Sequence, residues 1–164
     1  MPAMTMLGWF HTVLGVLAVL SGFYILFKYQ FISLKNLVGK VYILITFLVA
    51  ASALAIYNQG GFGIAHVLGV LTLFALFGGM IVEKTELFGS LSKYIQALAY
   101  TSTLLFHLIP AITDFLRRLP IGDPFINSFE DPLLSNFLSA FLILYILFYG
   151  LQVFWLKGKT SPPM

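Results

Sequence analysis

Five long apolar runs dominate the chain: Leu7 to Phe27, Val41 to Tyr57, Ile64 to Val82, Tyr94 to Leu116 and Phe137 to Leu156. Polar or turn-forming segments separate them. A hydrocarbon core about 30 Å thick needs roughly 20 apolar residues per helical crossing, and the second run lies at the short end of that range. Strand alternation is absent, and a transmembrane barrel would need at least about eight alternating segments. The pattern predicts an all-α integral membrane protein, a bundle of five transmembrane helices, with residues 1–164 forming one domain. The first run lacks the basic flank of a signal peptide and reads as a retained span. Residues 58–63, Asn-Gln-Gly-Gly-Phe-Gly, read as a tight hairpin rather than a phosphate loop, because they follow a membrane helix and not a strand. Thr160 to Met164 reads as a disordered end.

Composition agrees with that class. Of 164 residues, 60% are hydrophobic, 16% aromatic and 9% charged, with a mean hydropathy of +0.97, far too apolar for a water-soluble domain of this size. The net charge of +3 reflects nine Lys and Arg at span ends, which argues against a nucleic-acid partner and for the lipid bilayer as the main one. No cysteine is present, so disulfides, thiolate catalysis and cysteine-held metal clusters are excluded. No serine, lysine or paired-carboxylate arrangement suggests nucleophilic or glycosidic catalysis, and whether the protein is an enzyme stays open.

The basic residues orient the bundle. Lys28, Lys35, Lys40, Lys84, Lys93, Lys157 and Lys159 all flank one side, whereas the other has only Arg117 and Arg118, followed by Asp123, Glu130 and Asp131. Because Lys and Arg are retained on the cytoplasmic side, the N-terminus is expected outside and the C-terminus in the cytoplasm, in the inner membrane of a bacterium. Trp9 and Trp155, near opposite ends, read as interfacial anchors. The loop from 117 to 136 carries three prolines among acids and aromatics, and reads as a connector or as a lid over an outward-facing pocket.

Polar residues within the spans carry the functional expectations. Gln96, Tyr100, Thr103, His107 and Asp114 fall within about 40° of one line at 100° per residue, and Pro110 on the same line frees the carbonyl near residue 106. Polar packing between helices explains Gln96, Tyr100 and Thr103, while intramembrane ionisable groups such as His107 and Asp114 are costly and point towards function. His11, His66 and His107 lie roughly 5, 3 and 13 Å below the outer boundary at about 1.5 Å per residue, all in the outer half. His11, Gly15, Ala18 and Gly22 share a second narrow face, which admits either a close neighbouring helix or something flat. On the third span the small row Ala65, Gly69, Thr72 and Gly79 lies away from His66.

Three chemistries suit these residues. A b-type haem would use His11 and His107 as axial ligands, Gly15 and Gly22 beside the ring, Tyr100 and Thr103 as supporting groups, and Arg117 or Arg118 at the propionates. A bare zinc or copper ion would use His11, His66, His107 and Asp114. With neither, His107 and Asp114 would form a protonatable pair in a transport or quinone pocket. The leading expectation is haem or metal binding for membrane electron transfer with a membrane redox partner. The alternative is a non-redox component, either a small-molecule or proton transporter or a structural subunit of an oligomer or larger complex.

The motifs His11-x-x-x-Gly15, Gly39-Lys40-Val41-Tyr42 and Gly60-Gly61 before His66 resemble a family of small bacterial multi-pass inner-membrane proteins of unknown function. In that family a first-span histidine and a Gly-Arg/Lys-x-Tyr motif recur. The likeness covers roughly spans one to four. The family often has a histidine just before the Gly-Arg pair, where this chain has Asn36, Leu37 and Val38. Such proteins look distantly like four-helix b-type cytochromes, which implies a helical bundle but carries no haem ligand over to that position and no established activity.

Overall fold

The computed structural model describes residues 4–57 and 61–159. Its described helices are α1 (Met6–Tyr29), α2 (Leu37–Leu54), α3 (Ile64–Thr85), α4 (Ser92–Arg118) and α5 (Pro132–Lys157), with a 3-10 turn at Gly89–Leu91 before α4. All five are long and apolar enough to cross a membrane. Large apolar side chains, among them Phe27, Phe74 and Phe154, stand exposed around the outside of the bundle. The hairpin expected at 58–63 falls in part on residues 58–60, and the disordered tail on 160–164, both outside the described residues.

Two helices begin earlier than hydropathy predicts. The side chain of Asn36 accepts from the Gly39 N–H at 2.7 Å, so α2 starts at Leu37 rather than Val41. Asp131 accepts from the Leu133 N–H at 2.8 Å with Pro132 as the first helical residue, so α5 starts five residues before the run beginning at Phe137. The long loop shrinks accordingly to 119–131. It folds back on α4, with the Ile126 N–H donating to the Leu116 carbonyl, and Ile126 buried between Leu116 and Leu134.

Helices α1 to α4 close a ring, each packed on the next and α1 on α4, while α5 packs on α4 from outside the ring. Ile25, Tyr42, Leu76, Tyr100 and Leu104 fill the middle. Two glycines let the aromatics in: a Cβ on Gly22 would stand 2.8 Å from the Tyr42 ring, and one on Gly79 2.7 Å from the Tyr100 ring. At the end carrying the lysines, polar contacts knit the helices together. The Glu83 carboxylate accepts from the Ser33 hydroxyl at 2.6 Å, the Leu34 N–H at 2.8 Å and the Tyr100 hydroxyl at 2.9 Å, tying the α1–α2 loop, α3 and α4 to one point. Gln96 donates to the Ile32 carbonyl, Gln152 to that of Gln30, and Lys93 to those of Leu156 and Lys159 at the C-terminus of α5. The opposite end, holding the histidines, is less filled.

Candidate functional site

At that end a cavity of about 280 Å³ opens between α1, α2, α3 and α4. Its wall is mainly apolar and small. Gly15, Val16 and Val19 come from α1, Val49, Ala50 and Ala53 from α2, Ala65, Leu68 and Gly69 from α3, and Phe106, Pro110 and Ala111 from α4. The polar exceptions are His11, Thr12, Thr72, His107 and Asp114. No residue of α5 or of the 119–131 loop borders it, so the loop is a connector folded on the end of α4 and not its lid.

Helix α1 brings His11 against the last turns of α2. Its Nδ1 lies 3.1 Å from the Val49 carbonyl oxygen and 3.0 Å from Ser52 Oγ, while the Ser52 hydroxyl donates to the same Val49 carbonyl at 2.9 Å. A carbonyl oxygen has only lone pairs, and the one hydrogen of Ser52 is spent on it. Nδ1 must therefore be the donor to both, and the neutral ring keeps Nε2 as a bare acceptor. Nε2 has no protein partner among the described residues, and the ring borders the cavity. The small face below is split in use: a Cβ on Gly15 would meet nothing within 4 Å, whereas Gly22 is filled by Tyr42 and Leu104.

His107 reaches the same cavity from α4, buried, with Nε2 3.3 Å from the Thr46 hydroxyl. Its expected pairing with Asp114 is not made. Asp114 lies one helical stretch further out with a half-exposed side chain, and its carboxylate faces Arg118 Nε at 3.4 Å. Pro110, between them, leaves the Phe106 carbonyl without its helical donor beside the cavity.

The remaining expected residues lie elsewhere. His66 is buried at the start of α3, away from the cavity, where its Nδ1 accepts from the Gly63 N–H at 3.1 Å and its ring packs between Tyr57 and Phe62. Tyr100 donates to Glu83, and Thr103 meets the Tyr42 hydroxyl at 2.7 Å, both towards the middle of the bundle. Arg117 stacks on Phe129 with its guanidinium 3.9 Å from the ring centre. Four buried groups of the polar line on α4, Gln96, Tyr100, Thr103 and His107, thus turn inward as the spacing predicts, and each meets a different partner.

These positions bear on the two cofactor expectations. Among the described residues no group of three or more His, Asp or Glu gathers at metal-binding spacing, because His66 serves its own helix terminus and Asp114 turns to Arg118. The residues read as the surroundings of a b-type haem are not gathered at the cavity either. At about 280 Å³ the cavity is just below the range of about 300–1,000 Å³ that holds drug-sized ligands. The Gly22 face is taken by Tyr42, and the residues expected to support the macrocycle are committed to Glu83, Tyr42, Asp114 and Phe129.

Sequence reasoning missed Ser52, Val49 and Thr46, which orient the two imidazoles. Ser52 and Thr46 are small polar residues inside an apolar run, a signal that was present, but the faces of α2 and α1 cannot be matched without the tertiary pairing. The fold and site define a five-helix apolar bundle with a histidine-bordered cavity in its four-helix core. Compared with known proteins, the chain matches no family model, no curated protein and no solved structure.

Proposed function

We propose that the protein is a non-redox, multi-pass membrane component that binds a small lipid-soluble molecule in the cavity among α1, α2, α3 and α4, opening towards the outer side of an inner membrane. The observation that carries this reading is the cavity itself: about 280 Å³, apolar except for a few groups, with the two imidazoles on its wall and His11 held by Val49 and Ser52. A preformed, mostly apolar concavity with few convergent polar groups is the usual shape of a small-ligand site. The five apolar helices support membrane insertion, and seven lysines at one end against two arginines at the other support the orientation, with the C-terminus cytoplasmic. At the lysine end the bundle is closed by the Glu83 contacts, which makes a binding pocket the better reading than an open channel.

The test uses the purified protein in lipid nanodiscs, with thymol as probe and empty nanodiscs as the partition control. Saturable binding of one thymol per chain is expected. Gly15→Leu, whose side chain enters the open space, should abolish it without unfolding the bundle. Binding that never exceeds the empty discs overturns the reading. The same sample gives a visible spectrum, since the bracing of His11 also suits a metal-bound imidazole. A colourless protein is expected, and a Soret band lost in His107→Ala would replace the ligand reading with haem.

A further inference from the structure

The polar atoms of the cavity are biased towards one hydrogen-bonding role. Nε2 of His11 is an acceptor because Nδ1 spends its hydrogen on Val49 and Ser52. Thr72 donates its hydroxyl hydrogen to the Leu68 carbonyl at 2.7 Å and so presents only lone pairs. The Phe106 carbonyl has lost its helical donor to Pro110. The Asp114 carboxylate, when ionised, only accepts. Among the described residues no Lys or Arg side chain borders the cavity, and Arg118 is already turned to Asp114. Among the described residues, Thr12 and the ring of His107 are wall groups whose role is free.

A ligand whose head only accepts hydrogen bonds would face these lone pairs without a partner for them, and buried unpaired acceptors are penalised. A ligand whose head donates would satisfy them. Resting on the ligand-pocket reading above, we infer that the site selects small lipid-soluble molecules with a hydroxyl donor, of the phenol or quinol class, over their carbonyl counterparts. The hydroxyl hydrogen is directed to His11 Nε2, and the apolar body lies against Gly15, Ala50 and Gly69. The preference is set by the Val49 and Ser52 bracing, which fixes the tautomer, and not by the shape of the wall. No bond is made or broken on binding.

Thymol and carvone test this directly. They are isomers on one carbon skeleton, and thymol carries a phenolic hydroxyl on the ring carbon next to the one that bears the ketone in carvone. In nanodiscs containing the intact protein, thymol should bind about tenfold tighter than carvone, the difference of roughly one buried hydrogen bond. In His11→Phe the thymol affinity should fall to that of carvone, and retained carvone binding shows that the pocket survives the change. Equal affinities in the unaltered protein, or tighter carvone, overturn the donor preference and leave the pocket intact. Failure of both probes to bind saturably overturns the pocket reading instead.

Discussion

Glycines that look alike in the sequence do different work, and substitutions separate them. Gly15 faces open space, so Gly15→Ala should raise stability by about 0.5–1 kcal/mol through the helix preference for alanine. In Gly79→Ala the new methyl meets the buried Tyr100 ring at 2.7 Å, and the bundle should lose on the order of 1–3 kcal/mol. Unfolding by graded SDS in mixed micelles measures both, and a destabilised Gly15→Ala would show that the cavity beside it is closed. The Glu83 carboxylate holds three donors, two of them on the α1–α2 loop. Glu83→Ala should cost roughly 2–4 kcal/mol, while Glu83→Gln, which keeps an acceptor for Ser33 and Leu34, should cost about 1 kcal/mol in the same assay. Equal losses in the two variants would show that the hydrogen bonds are not what the residue contributes. Glu83 was illegible as a hub in the sequence. It stands at the edge of an apolar run, where a charge reads as a boundary marker, and Ser33 lies 50 positions away.

At the scale of the elements, periodicity and hydropathy located every helix, because a 100° repeat and a run of apolar residues are properties of one segment alone. They also placed Gln96, Tyr100, Thr103, His107 and Asp114 on one inward face of α4; the first four are buried, whereas Asp114, nearer the outer end, is half-exposed and turned to Arg118. Two helix starts were missed although their signals are local. Asn36 and the pair Asp131-Pro132 are N-terminal capping residues, but Lys40 made the first turn of α2 look polar and the prolines of the loop read as breakers. Asp131→Ala should cost about 1 kcal/mol and loosen the first turn of α5, visible as faster amide exchange at Leu133 and Leu134. Unchanged exchange there would show that Pro132 alone sets the start. His66 has the same kind of explanation. A ring nitrogen three residues after Gly63 can satisfy its N–H, which is a helix-start role and leaves His66 outside the cavity.

For the whole molecule, no single helix encodes the cavity. It arises where α1 to α4 diverge at one end while Tyr42, Tyr100 and Leu104 fill the middle, and its polar character depends on contacts such as His11 with Val49 and Ser52, 38 and 41 positions apart. That is why the sequence grouped His11, His66, His107 and Asp114 in one pocket, whereas His66 stands apart from the cavity that the other three border, and could not tell a ligand set from separate structural roles. The orientation read from the lysines has its own check: a reporter fused after Met164 should be active in the cytoplasm, and a reporter active outside would invert the bundle and turn the cavity mouth inward.

The bracing by Val49 and Ser52 fixes His11 as the Nδ1–H tautomer and leaves Nε2 without a protein partner among the described residues, on a ring that borders the cavity. Solid-state 15N NMR of histidine-labelled protein in lipid bilayers reads this directly, with His11 assigned by difference from His11→Phe. A protonated-type Nδ1 resonance and an unprotonated-type Nε2 resonance are expected, and only the latter should move when thymol is added. A protonated Nε2 with a bare Nδ1, or an Nε2 resonance indifferent to thymol, would contradict it.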